Sequence, residues 1–217
     1  MTDTSSFGAP EPGVAPAELL DAGLVVGSDG KARCFWGGGT PDYVAYHDGE
    51  WGRPVRGDDA LFERMCLEAF QSGLAWITIL RKRESFRAAF DGFAIDKVAA
   101  YSDADATRLM ADAGIVRNRM KIDAALHNAR VAADLPDGLS ALLWSYAPAR
   151  RAPRPGTRAE IPATTPESTA MAKGLKKRGF KFVGPTTAYA LMQATGMVDD
   201  HLAGCWVPPA EGPGTAT

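Results

Sequence analysis

Apolar residues recur along the middle of the chain with helical spacing, and hardly anywhere with the strict alternation of a half-buried strand. In "DDALFERMCLEAFQSG" (58–73), Leu61, Met65 and Ala69 lie four residues apart, which places them on one face of a helix. In "KIDAALHNARVAA" (121–133), apolar residues at 122, 125, 126, 129 and 133 form a second stripe. No alternating run is long enough to build a sheet. The pattern therefore predicts an all-α protein of seven to nine helices.

Capping signals mark where several of these helices begin. Ser102 and Asp105 have the spacing of a capping box, and Thr164 and Glu167 repeat it. Pro185 follows a glycine and suits the first position of a helix. Asp58 and Asp59 (the first residues of the 58–73 segment) are candidate caps as well. These signals predict helices that start near residues 58, 102, 164 and 185.

Pro, Gly and Ala dominate both ends of the chain. Residues 1–30 and 208–217 are therefore predicted to be a flexible N-terminal extension and a flexible tail. Residues 31–207 are predicted to form a single helical domain, since 177 residues can bury a core without disulfides. The N-terminus lacks the basic and apolar regions of a signal peptide. No apolar run approaches the roughly 20 residues of a membrane span.

Composition narrows the class of protein further. The chain of 217 residues is 46% hydrophobic and 23% charged, which is typical of a globular protein. Its formal net charge of −2 argues against a generally basic surface that coats nucleic acid. A local basic patch remains compatible with that charge.

Cysteine and histidine are scarce, with three of each, yet four of them fall into two pairs. His201 and Cys205 are four residues apart, so they point to one side of a helix or tight turn. Cys34 and His47 flank a Gly-rich segment that can fold back on itself. Together the pairs are compatible with a closed four-ligand zinc site, which would be structural rather than catalytic and would join the two ends of the domain. The alternative is two buried thiols and two hydrogen-bonded histidines without a metal.

The remaining cysteine and histidine suggest no site. Cys66 lies within an amphipathic helix, where a thiol packs like a small apolar side chain. His127 lies off the apolar stripe of its helix and is predicted to be solvated. A thiol redox protein using Cys66 or Cys34 is disfavoured, because the chain has no C-x-x-C motif.

A glycine-bounded turn joins two predicted helices in "LKKRGFKFVGPTTAYALMQATG" (175–196). The N-terminus of the second helix presents free N–H groups, which favour an anion such as phosphate. Basic residues surround the same turn. The alternative is an ordinary helical hairpin with a solvated basic turn. The candidate DNA-binding residues are Lys176, Lys177, Arg178, Gly179, Lys181, Gly184 and Thr186.

Aromatic residues are concentrated between positions 36 and 76. Such residues pack in cores, but near Gly-rich loops they also suit a pocket that stacks a flat ring. Glu68 lies seven residues after Leu61 and three after Met65, so it borders the apolar face of its helix. Its carboxylate is predicted to be either solvated at the helix edge or turned into a pocket. The candidate aromatic residues are Trp36, Tyr43, Tyr46, Trp51 and Trp76.

Five segments between about residues 33 and 205 together resemble the 3-methyladenine DNA glycosylase I family. In order, they are "RCFW", "YVAYHDGEWG", "CLEAFQSGLAWITIL", "LKKRGFKFVGPTTAYALMQATG" and "DDHLAGC". The segment "AFQSGLAW" departs from the commoner family wording at Ala69 and Ser72, which bears on pocket shape. The resemblance implies a helix-hairpin-helix DNA repair enzyme that hydrolyses the N-glycosidic bond of 3-methyladenine. It also implies one structural Zn²⁺ on Cys34, His47, His201 and Cys205.

The resemblance places the base-binding carboxylate at Glu68 and the base-contacting aromatics at Tyr43, Tyr46 and Trp76, with Trp36 and Trp51 nearby. Alkylation makes the adenine cationic and its glycosidic bond weak, so Glu68 and the aromatic cage are expected to stabilise the departing base while water completes hydrolysis. A lyase step would need an amine nucleophile in the pocket, and the sequence indicates none, so no lyase step is expected.

Further expectations concern residues near these sites. Asp199 and Asp200 are expected to orient the adjacent metal ligand rather than activate water. Gly73 and Leu74 are a candidate wedge for the gap that an extracted base leaves, with plain core packing of Leu74 as the alternative.

The resemblance further implies a monomeric bacterial protein of the cytoplasm that acts on double-stranded alkylated DNA and has no membrane partner. Two rival functions remain. One is a non-catalytic, zinc-stabilised DNA-binding module, and the other is a glycosylase for a different lesion.

Overall fold

The computed structural model describes residues 16–210, with side chains from Leu19 onwards. Within this range the chain is mostly helical, as the sequence pattern predicts, but it has ten α-helices and not the expected seven to nine. None of these helices has the length and apolarity that crossing a membrane requires. Residues 1–15 and 211–217, which make up half of the predicted extension and most of the predicted tail, lie outside the described range. The helices are α1 (Pro16–Ala22), α2 (Pro41–Gly49), α3 (Asp58–Gln71), α4 (Trp76–Ala89), α5 (Ile95–Ala99), α6 (Asp103–Ala111), α7 (Arg119–Ala133), α8 (Gly138–Trp144), α9 (Pro166–Lys177) and α10 (Pro185–Ala194), with short 3-10 helices at Asp91–Phe93 and Arg158–Glu160.

A two-stranded antiparallel ribbon precedes the helical body, where the sequence pattern predicts no strand. It pairs β1 (Leu24–Val26) with β2 (Ala32–Cys34), and Leu24 lies opposite Cys34. Each strand has only three residues, too few for an alternating pattern to be recognised. Residues 16–26 of the predicted extension thus form α1 and β1, and Leu24 is buried.

The main core is built around α3 and α4, whose apolar faces carry large aromatic rings. Phe62, Phe70, Phe86, Phe90 and Phe93 are all fully buried. The rings of Phe90 and Phe93 stack with centroids 5.2 Å apart. Each buried ring of this size contributes about 1.5–3 kcal/mol relative to an exposed one. This core fixes α3, and with it the position of every side chain that α3 directs elsewhere.

Two of the predicted helix starts are formed differently from the sequence expectation. The capping box expected at Thr164 is formed one residue later, where the Thr165 hydroxyl accepts from the N–H of Ser168. Pro166 explains the shift, because the residue before a proline favours the extended backbone of an N-cap. The box at Ser102 and Asp105 is confirmed.

The start of α3 is also different, since Gly57 is its N-cap and no side chain caps it. Asp58 instead accepts from the N–H of Ser140 at 2.8 Å, and Asp59 accepts from the N–H of Ile95 at 2.9 Å. Both carboxylates therefore tie α3 to later helices, a use that no local pattern can reveal.

A second, smaller core joins the two ends of the described chain. It packs α1 and the ribbon against the segment that follows α10. The N–H of Trp206 donates to the carbonyl of Ala32 at 2.8 Å, which adds a backbone contact between these ends. Its buried members are Leu19, Leu24, Cys34, Leu202, Cys205 and Val207.

Candidate functional site

Cys34, His47, His201 and Cys205 meet in a single buried cluster, so the two sequence pairs are brought together as predicted. One ligand atom from each residue lies within 4.8 Å of every other. The Cys205 Sγ is 3.6 Å from both the His47 Nε2 and the His201 Nδ1, and the Cys34 Sγ is 3.8 Å from the His201 Nδ1. Two thiols and two imidazoles at these distances could hold a metal ion.

The outward-facing nitrogen of each histidine ring is engaged by a fixed partner. The His47 Nδ1 lies 2.8 Å from Asp48, and the His201 Nε2 lies 3.1 Å from the carbonyl oxygen of Trp51. A ring N–H that donates to such an acceptor leaves the other nitrogen unprotonated and available to a metal. The other ring nitrogen of each histidine lies near the thiols, so two nitrogens and two sulfurs face one another in the cluster.

Asp48 is the carboxylate that orients a histidine of the cluster, and the sequence pattern did not identify it. Arg33 and the Trp206 indole N–H bind the same carboxylate, so it is held from three sides. These hydrogen bonds outweigh the desolvation of Asp48 and lower the pKa of its carboxyl group. Its position directly after His47 was the only signal in the sequence.

Asp199 and Asp200, expected to orient His201, are both buried but engage different partners. Asp199 accepts the backbone N–H of His201 at 3.3 Å and pairs with Arg154 at 2.9 Å. Asp200 accepts from the Tyr189 hydroxyl at 2.6 Å and the Gln193 amide at 2.7 Å. Neither carboxylate contacts the ring of His201 in these hydrogen bonds.

A cavity of about 420 Å³ opens beside the cluster and collects the predicted aromatic residues and Glu68. It lies between α2, the C-terminal half of α3, the start of α4 and one face of α10. Trp36 links the cavity to the cluster, because the centroid of its ring lies 5.1 Å from that of His47 and 4.9 Å from that of Trp51. The wall includes Trp36, Tyr43, Tyr46, Trp51, Glu68, Gln71, Trp76 and Gln193, together with Phe35, Ala75, Ile161 and Ala190.

Glu68 is buried in the cavity wall and not solvated at the helix edge. Its exposed fraction is 6%. Burial raises the pKa of its carboxyl group to about 8, and the Arg64 guanidinium one helical turn earlier opposes that rise. The carboxyl group is therefore mostly protonated at neutral pH while the cavity holds no cation.

The aromatic rings of the cavity are fixed by one another and by backbone contacts. Tyr46 is buried, with its ring centroid 5.3 Å from that of Trp76. The Tyr43 hydroxyl accepts the N–H of Ile77 at 3.1 Å, which fixes it at the start of α4. Among the described residues, no acceptor lies within hydrogen-bond distance of the buried Trp76 indole N–H. The cavity thus offers aromatic ring faces beside a carboxyl group.

The turn after α3 carries an exposed leucine. Gly73 takes φ +81°, a backbone conformation that favours glycine, and the N–H of Leu74 donates to the carbonyl of Gln71. Leu74 is 41% exposed, so it is not the plain core residue of the alternative interpretation. A cleft of about 240 Å³ separates this turn from the start of α10, and Glu68 lies in its wall as well.

Helices α9 and α10 pack together and are joined by residues 178–184, which form the predicted glycine-bounded turn. Gly179 takes φ +97°, and the N–H of Phe180 donates to the carbonyl of Leu175, as in a Schellman motif. The N-cap of α10 is Gly184, and no side chain occupies its first turn as a cap. The predicted cations at this turn are all exposed, and they are Lys176, Lys177, Arg178 and Lys181.

His127 and Asn128 hold this turn from α7. The His127 Nε2 lies 2.8 Å from the carbonyl of Gly179, so the prediction of a merely solvated His127 is not met. Asn128 is buried, donates to the carbonyl of Lys181 at 2.9 Å and accepts its N–H at 2.8 Å. No local pattern predicts these contacts, because they join residues about fifty positions apart.

Comparison with known proteins agrees with the geometry. Residues 36–208 match the methyladenine glycosylase family model. "DNA-3-methyladenine glycosylase 1" of Escherichia coli (strain K12) is 46% identical over 185 residues, which cover 83% of this chain and 99% of that protein.

Solved structures are similar over the same region. A crystal structure of 3-methyladenine DNA glycosylase I has a TM-score of 0.76 and 44% identity, and the match covers 80% of this chain and 97% of that one. A structure of 3-methyladenine DNA glycosylase I from Staphylococcus aureus, described as giving the basis of 3-methyladenine recognition, has a TM-score of 0.74 and 34% identity, covering 78% and 93%. With a family model matched across the helical domain and relatives covered almost end to end, this chain belongs to the methyladenine glycosylase family.

Proposed function

We propose that this protein excises 3-methyladenine from alkylated double-stranded DNA by hydrolysing the N-glycosidic bond. The observation that carries the proposal is the buried Glu68 in the wall of an aromatic cavity. A cavity of about 420 Å³ is large enough to take a flat base. A base in duplex DNA reaches such a cavity only when its nucleotide is turned out of the stack.

Glu68 gives the cavity a preference for a cationic base. Burial disfavours the charged carboxylate, and an adjacent positive charge favours it. A 3-methyladenine nucleotide, which is cationic while its glycosidic bond is intact, therefore drives Glu68 to release its proton to the solvent. The two then form a short-range ion pair in a site of low dielectric. Neutral adenine supplies no such charge, so it gains less from the same contact. The exocyclic amine of the base can also donate to the carboxylate.

The aromatic rings also favour binding of a cationic base. A cation near the face of a tryptophan or tyrosine ring gains roughly 0.5–2 kcal/mol. Tyr43, Tyr46 and Trp76 are the rings we assign to the base, and Trp36 and Trp51 support them from the side of the metal cluster. Because Trp36 packs against both His47 and Trp51, the position of the metal cluster also fixes this wall.

The reaction needs little acid catalysis, since the departing base already carries a positive charge. Glu68 and the aromatic cage hold the base while the electron pair of the glycosidic bond passes to its ring nitrogen, which leaves the base neutral. Water then adds to C1′ of the sugar and loses a proton to the solvent, which completes the hydrolysis. A lyase step would need an amine in the cavity, and no lysine is among its described lining residues. The proposal is therefore a monofunctional glycosylase, and the resemblance to its family leads us to propose a monomer as well.

The turn between α9 and α10 is assigned to the DNA backbone as a helix-hairpin-helix. The free N–H groups at the start of α10, near Gly184 and Thr186, favour a phosphate. The exposed cations at 176–178 and 181 add attraction that does not depend on sequence. We assign Leu74 to the space that the extracted nucleotide leaves, because its side chain is exposed beside the cleft next to Glu68.

The cluster of Cys34, His47, His201 and Cys205 is assigned one structural Zn²⁺. Zn–S bonds of about 2.3 Å and Zn–N bonds of about 2.0–2.1 Å place sulfur and nitrogen about 3.6 Å apart in a tetrahedron. The sulfur–nitrogen distances of 3.6 and 3.8 Å match that separation. Four protein ligands leave no position for a reacting water, so the ion would join the ribbon to the C-terminal segment and take no part in the chemistry.

The test is chromatography of the free bases that the purified protein releases from methylated duplex DNA. We expect release of 3-methyladenine while 7-methylguanine stays in the DNA. Glu68→Gln should abolish most of the release and retain DNA binding. No release by a folded, zinc-loaded sample would refute the proposal in favour of a binding module, and release of another base would show a different lesion preference.

A further inference from the structure

A buried lysine on α7 holds the turn that follows α3. The Lys121 Nζ donates to the carbonyl of Phe70 at 2.8 Å and to that of Ser72 at 2.6 Å. Lys121 is only 8% exposed and is not among the residues that line either cavity beside Glu68. It therefore cannot reach a base in the pocket, and its contacts are with the last carbonyls of α3 and the turn that carries Leu74.

The same helix holds the turn between α9 and α10. Asn128 lies seven residues after Lys121, so the two side chains share one face of α7 about two turns apart. Asn128 makes a reciprocal pair of hydrogen bonds with the backbone of Lys181, and His127 adds one to Gly179. One rigid element thus grips both turns, and the cleft with Glu68 in its wall lies between the turn after α3 and the start of α10.

We infer that α7 is a brace that sets the spacing between the Leu74 turn and the basic turn at 178–184, with Lys121 and Asn128 as its positioning residues. This inference rests on the proposed function, in which one turn fills the gap in the duplex and the other binds the backbone. Extraction of a nucleotide needs both turns on the DNA at once, and an error of about 1 Å in their separation weakens that combined grip. The base pocket depends less on the brace, because Gln71 is the one described lining residue that lies between the two carbonyls held by Lys121.

The test compares Lys121→Met and Asn128→Ala with the wild type. We expect each variant to lower kcat/KM for 3-methyladenine release from methylated duplex DNA at least tenfold. The loss should be clearly smaller on methylated single-stranded DNA, where no duplex has to be opened. Affinity for free 3-methyladenine, measured by quenching of tryptophan fluorescence, should stay within about twofold. Lys121→Arg keeps the charge and the donors and should recover most of the duplex activity.

Lys82→Met is the matched control. The Lys82 Nζ also donates to two carbonyls, those of Ala113 at 2.9 Å and Gly114 at 3.1 Å, but it holds a different loop. We expect its duplex and single-strand activities to equal those of the wild type.

Two results would overturn the brace. One is unchanged duplex activity in both variants, and the other is an equal loss on duplex DNA, single-stranded DNA and free base, which indicates general damage to the fold. If Lys121→Met does not fold, Asn128→Ala decides the question from the other turn. A wild type that releases no 3-methyladenine refutes the proposed function instead, so the two failures are distinguishable.

Discussion

Replacing Glu68 with glutamine should make the stability of the protein less dependent on pH. The carboxyl group is 6% exposed, and burial raises its pKa from 4.5 to about 8. Between these two values the folded protein holds a proton that the unfolded chain releases, so the free energy of unfolding falls as pH rises. The slope from one such group is about 1.4 kcal/mol per pH unit.

Across the full interval Glu68 should thus remove ~5 kcal/mol of stability, of which roughly 3 kcal/mol is already lost at pH 7. A glutamine side chain at this position has nearly the same shape and no proton to lose. The variant should therefore match the wild type near pH 4.5 and be the more stable protein by several kcal/mol at pH 8. A substitution intended to abolish activity is expected to stabilise the fold.

The assay is urea unfolding of both proteins at pH 5, 6, 7 and 8, because the difference between them removes the contribution of the other titrating groups. Glu84→Gln makes the same chemical change at a side chain that is 80% exposed, and controls for the altered net charge. Parallel pH profiles for the wild type and Glu68→Gln would refute the reasoning, since they would mean that Glu68 is as solvated in the folded protein as in the unfolded chain.

Three further predictions concern the metal cluster and the basic turn. Asp48→Asn should weaken zinc binding ~10–100-fold, because the carboxylate that orients His47 is replaced by a weaker acceptor. Competition with a chromophoric chelator measures the zinc affinity, and an unchanged affinity would contradict the prediction. Gly179→Ala should lower the free energy of unfolding by ~1–2 kcal/mol because of its φ of +97°, whereas Gly39→Ala, which meets nothing within 4 Å, should change it little in the same urea titration. Lys181→Gln should make the slope of log affinity against log salt concentration shallower by about 0.9 if its ammonium group neutralises one phosphate. Fluorescence anisotropy on duplex DNA measures this slope, and an identical slope would remove Lys181 from the DNA-binding surface.

The helices could be predicted from the sequence because their signals are local. Apolar side chains three and four residues apart share a face whatever the rest of the chain does, and Pro185 fixes its own backbone at a helix start. Where the local signals were weak, the sequence did not fix where an element begins or whether a short strand forms. Pro166 moved a capping box by one position, and a ribbon of two three-residue strands formed without any alternating pattern.

The cluster of cysteines and histidines could be predicted only in part from the sequence. Residue type and spacing suggested two pairs of ligands, and chain topology had to decide whether residues more than 150 positions apart would meet. The fold brings them together, since the ribbon and the C-terminal segment share a small core. The partners of the ligands could not be predicted, because Asp48 and the carbonyl of Trp51 acquire their roles only when the rings are oriented.

The sequence by itself determined a helical chain, four scarce candidate ligands and a carboxylate at the edge of an apolar face, because residue identity and short spacing suffice for each. Only the tertiary structure decided that Glu68 is buried, since α3 alone leaves that position open and the walls supplied by α2, α4 and α10 cover it. It likewise decided that Lys121 and Asn128 hold two distant turns. Burial and long-range hydrogen bonds depend on which surfaces pack together, and no local pattern carries that information.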